Sequence, residues 1–104
     1  MKSTITNTQL ENLKKIGFEW DYDDLPTLDE VRMWFMENPH QKFENLYILP
    51  ETEMYEPGFQ CCIWVKRQLG YMPFRRVKGS MTCSYNEALS LGIDEAIKLA
   101  LKKY

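Results

Sequence analysis

Apolar residues recur along this chain at two periods, and the switch between them divides it into three stretches. In the first, Leu10, Leu13 and Ile16 fall at i, i+3 and i+6, which sets them near one face of a helix over residues 8–16. Asn7 or Thr8 stands where its N-cap belongs, Gly17 stands where a helix stops, and Phe18 is expected to fold back onto the apolar face. Residues 19–26 are acidic and aromatic and read as a connection. A second helix is expected after Pro26. Thr27 and Glu30 have the spacing of a capping box, and Leu28, Val31, Trp34 and Phe35 keep the helical period. Asn38-Pro39 should end it, because a residue before proline disfavours α geometry.

In the middle stretch alternation replaces the helical period. Residues 45–49 (NLYIL) form a short apolar run that Pro50 is expected to stop, and residues 51–58 read as a polar connection. Residues 59–67 (FQCCIWVKR) give the strongest strand pattern. It places Phe59, Cys61, Ile63 and Val65 on one face and Gln60, Cys62, Trp64 and Lys66 on the other. Residues 68–70 read as a turn and 71–77 as a third strand, whose Pro73 asks for an edge position or a bulge. Residues 78–83 read two ways: Gly79-Ser80 favours a loop, while 81–83 can resume a strand.

The helical period returns after Ser84, which with Glu87 has the spacing of another capping box. Ala88, Gly92, Ala96 and Ala100 make a ridge of small residues beside a ridge of large ones, Leu89, Ile93, Ile97 and Leu101. Acids early and lysines late suit the helix dipole. Gly92 costs about 1 kcal/mol of helix propensity relative to Ala, and close packing on a sheet is the expected compensation. The order is therefore α-α-β-β-β-α, an α+β fold. A small antiparallel sheet is expected, with the C-terminal amphipathic helix packed on one face. Such a sheet leaves its other face to water, to the N-terminal helices or to a partner.

Composition narrows the class. The 104 residues fit one domain over 1–104, and 44% apolar with 27% charged residues is an ordinary globular balance. No long uncharged apolar run suggests a membrane span, and the polar first ten residues do not read as a signal peptide. Three cysteines, two of them adjacent at Cys61 and Cys62, make a poor disulfide framework and suit a reducing compartment. A cytoplasmic location is the expectation.

Two stretches carry a resemblance. Residues 85–97 (YNEALSLGIDEAI) follow a Y-x-E-A-L-x-x-G-[IL]-x-x-A-[IL] pattern, and residues 26–35 (PTLDEVRMWF) follow P-[ST]-x-x-E-[VI]-x-x-W-[FL]. Both resemble parts of short uncharacterised proteins of gut-bacterial phages and integrated mobile elements. Together they cover under a quarter of the chain, and their residues are caps and core positions. The resemblance implies a small accessory protein of such an element and carries over no catalytic or binding residue. Residues 61–77 have no counterpart in it.

The candidate chemistry lies in how charge is distributed. The net charge is only −2, yet residues 60–86 hold five basic residues and no acid: Lys66, Arg67, Arg75, Arg76 and Lys78. Residues 11–57 hold twelve acids against four bases. Trp64, Tyr71 and Phe74 are interleaved with the basic group. One reading is a surface on which Lys66, Arg67, Arg75 and Arg76 steer a protein partner, host or self, while Trp64, Tyr71 or Phe74 anchors it. Met33, Trp34 and Met36 are further candidates for that surface. The alternative is a nucleic-acid face using the same residues on phosphates and bases; the bland reading is that the aromatics are core and the charges solvated edges.

Other chemistry is thinly signalled. Glu19, Asp21, Asp23 and Asp24 offer oxygen ligands for a hard cation but lack EF-hand spacing. Cys61, Cys62, Cys83 and His40 invite a zinc or cysteine-nucleophile reading, but adjacent cysteines on a strand point to opposite faces. There is no phosphate-binding glycine loop and no Gly-x-Ser-x-Gly elbow. Glu87 is accounted for by capping. The expectation is a non-enzymatic interaction protein, self-associating, with no cofactor and no metal.

Overall fold

The computed structural model describes residues 3–40, 46–55, 58–67, 70–77, 82 and 84–101, without the side chains of Tyr55, Arg67 and Arg75. The elements run α1 (Asn7–Lys15), α2 (Leu28–Glu37), β1 (Tyr47–Tyr55), β2 (Gly58–Arg67), β3 (Gly70–Arg76) and α3 (Tyr85–Leu101). This is the expected α-α-β-β-β-α order. The three strands form one antiparallel sheet in the order β1-β2-β3, and α3 packs across β1 and β2.

Local chemistry explains most helix ends. The N-cap of α1 is Thr6, not Asn7 or Thr8. The Thr6 hydroxyl accepts from the Gln9 backbone N–H at 3.1 Å, and the Gln9 side chain accepts from the Thr6 N–H at 2.9 Å. Asn7 is followed three positions on by Leu10, which cannot return the bond, and Thr8, though followed by Glu11, already lies inside the helix. Gly17, at φ 102°, reverses the chain, and Phe18 donates its N–H to the Leu13 carbonyl at 3.1 Å as its ring enters the core. At α2, Thr27 and Glu30 close the expected capping box, and Asn38 leaves the helix with ψ 118°.

The sheet departs from expectation at Pro50. The strand does not stop there: Pro50 lies opposite Ile63, and β1 continues through Thr52 and Met54 to Tyr55. β1 is an edge strand, where a residue without an N–H is tolerated. The stretch taken for a polar connection is thus largely strand, and residues 56–57 lie outside the described residues. Pro73 lies where expected, since β3 is the other edge and is also irregular. Ile63 pairs with Arg75 but Trp64 with Pro73, so Phe74 is the extra residue of a bulge. Beyond β3, Val77 donates to the Cys61 carbonyl at 2.9 Å, and Thr82 pairs again with Phe59. Pairing therefore resumes at Thr82; residues 78–81 and 83 are outside the described set.

The core lies between α3 and the sheet. Ala88, Gly92, Ala96 and Ala100 are buried, as are Leu89, Ile93 and Ile97. A Cβ on Gly92 would overlap the Cys61 Sγ and stand 3.1 Å from Cys61 Cβ and 3.4 Å from Pro50 Cβ. The helix axis approaches the sheet this closely because residue 92 has no side chain. α2 packs on β1 and α3, and α1 packs on α3. The buried amide of Gln9 ties α1 to α3 by donating to the Ser90 carbonyl and hydroxyl at 3.2 Å each and to Asp94 at 2.9 Å. Among the described residues no helix is long and apolar enough to cross a membrane.

Candidate interaction surface

Directly opposed residues of antiparallel strands point to the same side of the sheet. The register therefore sorts the middle of the chain into two faces. Ile48, Pro50, Cys61, Ile63 and Val65 are buried beneath the helices. The opposite face is built from three rows across the strands: Tyr47–Lys66–Tyr71, Leu49–Trp64–Pro73 and Glu51–Cys62–Arg76. Among the described residues no helix packs against β3; Tyr71 and Phe74 are 40% and 41% exposed, and Met72, opposite Val65 on the other side of the strand, is 57% exposed.

The first row is a cation held between rings. The Lys66 ammonium stands 5.2 Å from the centroid of Tyr47 and 5.7 Å from that of Tyr71, within the range of cation–π attraction. Next to it lies a pocket of about 320 Å³ lined by Glu53, Cys62, Trp64, Pro73, Phe74 and Arg76. The bulge that adds Phe74 to β3 brings its ring to this pocket. The indole N–H of Trp64 is buried and has no hydrogen-bond partner among the described residues, where a buried donor without a partner costs free energy. The Cys62 thiol is pushed up by burial and by the Glu53 carboxylate, against a smaller opposing effect of the Arg76 guanidinium. It therefore holds its proton and is a poor nucleophile.

The residues expected to form a surface divide three ways. Trp64, Phe74 and Arg76 share the pocket; Lys66 and Tyr71 share the neighbouring row. Arg67 and Arg75 occupy ladder positions opposite Gly70 and Ile63, and their side chains lie outside the described residues. The charge is also different from a basic patch: β1, which the sequence cut short at Pro50, contributes Glu51 to the row of Arg76 and Glu53 to the pocket. Glu51 is paired with Arg32 of α2 at 3.5 Å. Tyr47, Glu53, Cys62 and Pro73 were missed, and only the alternation in ETEMY, residues 51–55, signalled that β1 carried on. On the second helix, Met33 is 44% exposed, while Met36 and Trp34 are half-buried.

The chain matches no protein-family model, no curated protein and no solved structure.

Cys61, Cys62 and His40 do not assemble. Cys61 is buried under Gly92, and burial pushes its thiol up to about 12. Cys62 lies on the other face of the same strand, and Cys83 is outside the described residues. His40 is packed against the rings of Trp34 and Phe35, at centroid distances of 5.5 and 5.3 Å, and does not line the Cys62 pocket. Burial lowers its pKa to about 4, so it is neutral at physiological pH. Among the described residues no three His, Cys, Asp or Glu side chains converge to hold a metal ion.

Proposed function

We propose that this chain is a non-enzymatic interaction protein that binds another protein through the β2–β3 side of the sheet face opposite the helices and the β3 edge. The observation that carries the reading is the pair of exposed rings Tyr71 and Phe74 on an edge strand against which no helix packs among the described residues, beside a pocket floored by Trp64. Exposed aromatics around a partly buried tryptophan have the composition of an interface anchor. Lys66 and Arg76 supply positive charge and Glu51 and Glu53 negative charge to the same face. That balance suits a protein partner with a mixed pattern better than a run of phosphates, which would call for uniform positive charge.

The resemblance of residues 26–35 and 85–97 to phage and mobile-element proteins makes the setting a bacterial cytoplasm. The partner is then a host protein, one used in defence for example, or a second copy of this chain. Size exclusion with light scattering at low and high salt, recording absorbance in the nucleic-acid and protein bands, tests the reading. A clean protein peak at both salts supports it, and the mass separates a self-associating chain from one awaiting a host partner. A nucleic-acid spectrum at low salt that is lost at high salt overturns it in favour of phosphate binding.

A further inference from the structure

The strongest unassigned feature lies away from the sheet face, where the loop after α1 wraps α2. Four rings are locked there. Phe18 stacks on Trp20 with centroids 6.0 Å apart and planes 12° apart. Trp34 meets Phe18 edge-on at 5.3 Å, and Tyr22 meets Trp20 at 4.9 Å and 63°. The Trp20 indole N–H donates to the Asp24 carbonyl at 2.6 Å, which fixes the ring although it is half exposed.

Two open grooves meet at Trp20. One, of about 820 Å³, runs past Tyr22, Asp24, Leu25 and Glu30. The other, of about 420 Å³, runs past Glu19, Asp29, Met33, Trp34 and Glu37. Trp20 and Glu30 line both. Neither lining contains a lysine, arginine or histidine. The floor is thus aromatic and thioether, with Met33 44% and Tyr22 74% exposed, and the charged side chains of the lining are all carboxylates, of which Asp29 is paired with Arg32 at 3.7 Å. Like charges gathered around uncovered rings repel one another and leave π faces to water. A cation on an alkyl stem relieves both, its stem lying on Trp20 and Met33 and its charge meeting the rim.

We propose that this groove pair binds an extended basic segment of a protein partner, taking an arginine or lysine side chain on each side of the Trp20 ring. Charge complementarity selects the occupant, and the locked rings mean that little ordering is needed on binding. The site shares no lining residue with the pocket on the sheet, so it stands or falls independently of the function proposed above.

The test is titration of the whole ¹⁵N-labelled chain with a synthetic (Gly-Arg)₅ peptide, reading the three tryptophan indole signals, with (Gly-Glu)₅ as control. The Trp20 and Trp34 signals should shift while that of Trp64, on the sheet, stays in place. Affinity should fall as salt is raised, and should fall about tenfold in a chain carrying Glu19→Lys and Glu37→Lys, two exposed side chains, with its folding checked by circular dichroism. Glu11→Lys, on exposed α1 surface, should change it little. Trp20→Leu should weaken binding by a similar factor if circular dichroism shows it folded. No shift at millimolar peptide, a shift of Trp64 alone, or equal loss in the Glu11 and rim variants overturns the proposal. A dimer without peptide that the rim variants dissociate gives the groove to a second copy and also overturns it.

Discussion

Replacing Gly92 by alanine sets two known effects against each other. Helix propensity alone predicts a gain of about 1 kcal/mol, since residue 92 is inside α3. The structure predicts the opposite sign. The new methyl would overlap Cys61 Sγ and lie 3.1 Å from Cys61 Cβ. The sulfur can leave only by a rotamer change in a site with no exposed surface, and Cβ cannot move without the strand. Overpacking of this kind costs about 1–3 kcal/mol, and the contact with both Cys61 atoms puts it at the upper end. Less the propensity gain, the net loss is about 2 kcal/mol, or about 10 °C in Tm for a domain of this size. The assay is a thermal or urea melt of Gly92→Ala in the native background and in Cys61→Ala. Removing the sulfur should turn the substitution neutral or stabilising, a coupling of about 2 kcal/mol. An unchanged or raised Tm in the native background, or equal losses in both, would refute the claim that Gly92 is there to let the helix touch the sheet.

Three further expectations follow from buried polar groups. His40 has a folded pKa lowered to about 4 by burial, against an ordinary value of 6.5. Its neutral form is favoured in the native state, so its contribution is complete above pH 6.5 and is lost as pH falls toward 4. Urea melts at pH 7.5 and 4.5 should differ by about 2.5 kcal/mol more in the native chain than in His40→Phe; equal differences would show that His40 is not kept neutral. In a Cys83→Ser background, a thiol reagent at pH 8 should modify Cys62 slowly and Cys61 only after unfolding, because burial holds both thiols protonated and hides Cys61; rapid labelling of two thiols in the native state would contradict this. Gln9→Leu should cost about 1 kcal/mol by urea melt, since Ser90 and Asp94 lose the amide that links α1 to α3 but are themselves half-buried and recover water.

What was legible in the sequence is what short-range chemistry decides. The α2 box at Thr27 and Glu30, the stop at Gly17 and the two ridges of α3 each depend on residues within a few positions of one another, and each is present. So is the two-faced pattern of residues 59–67, because alternation within one strand is local. Pro50 went the other way because whether a proline ends a strand depends on whether that strand lies at an edge, which only the pairing of β1 with β2 determines. Gln9 reads as a polar surface position until α3, 81 residues later, supplies its acceptors. Thr6 was passed over because its partner Gln9 is not one of the apolar residues that trace the helix.

The same distinction governs the surfaces. Charge counted along the chain separates an acidic half from a basic one, but strand pairing mixes them again. Glu51 and Glu53, counted with the acidic half, come to lie across β2 from Arg76 and beside Trp64. The acids that stay together are those whose positions are fixed locally, on the loop after α1 and the exposed side of α2: Glu19, Asp24, Asp29, Glu30 and Glu37. A segregated sequence has thus folded into one mixed face and one uniformly acidic groove. The mixed face has apolar side chains as its distinguishing content, so a protein partner of the kind proposed for it would be selected by shape. The groove has both rings and an excess of carboxylates, of which Asp29 is paired with Arg32 at 3.7 Å, so the binding proposed there must decline with salt while that proposed for the sheet face changes far less. Salt dependence read separately at Trp20 and at Trp64 distinguishes the two surfaces within one molecule.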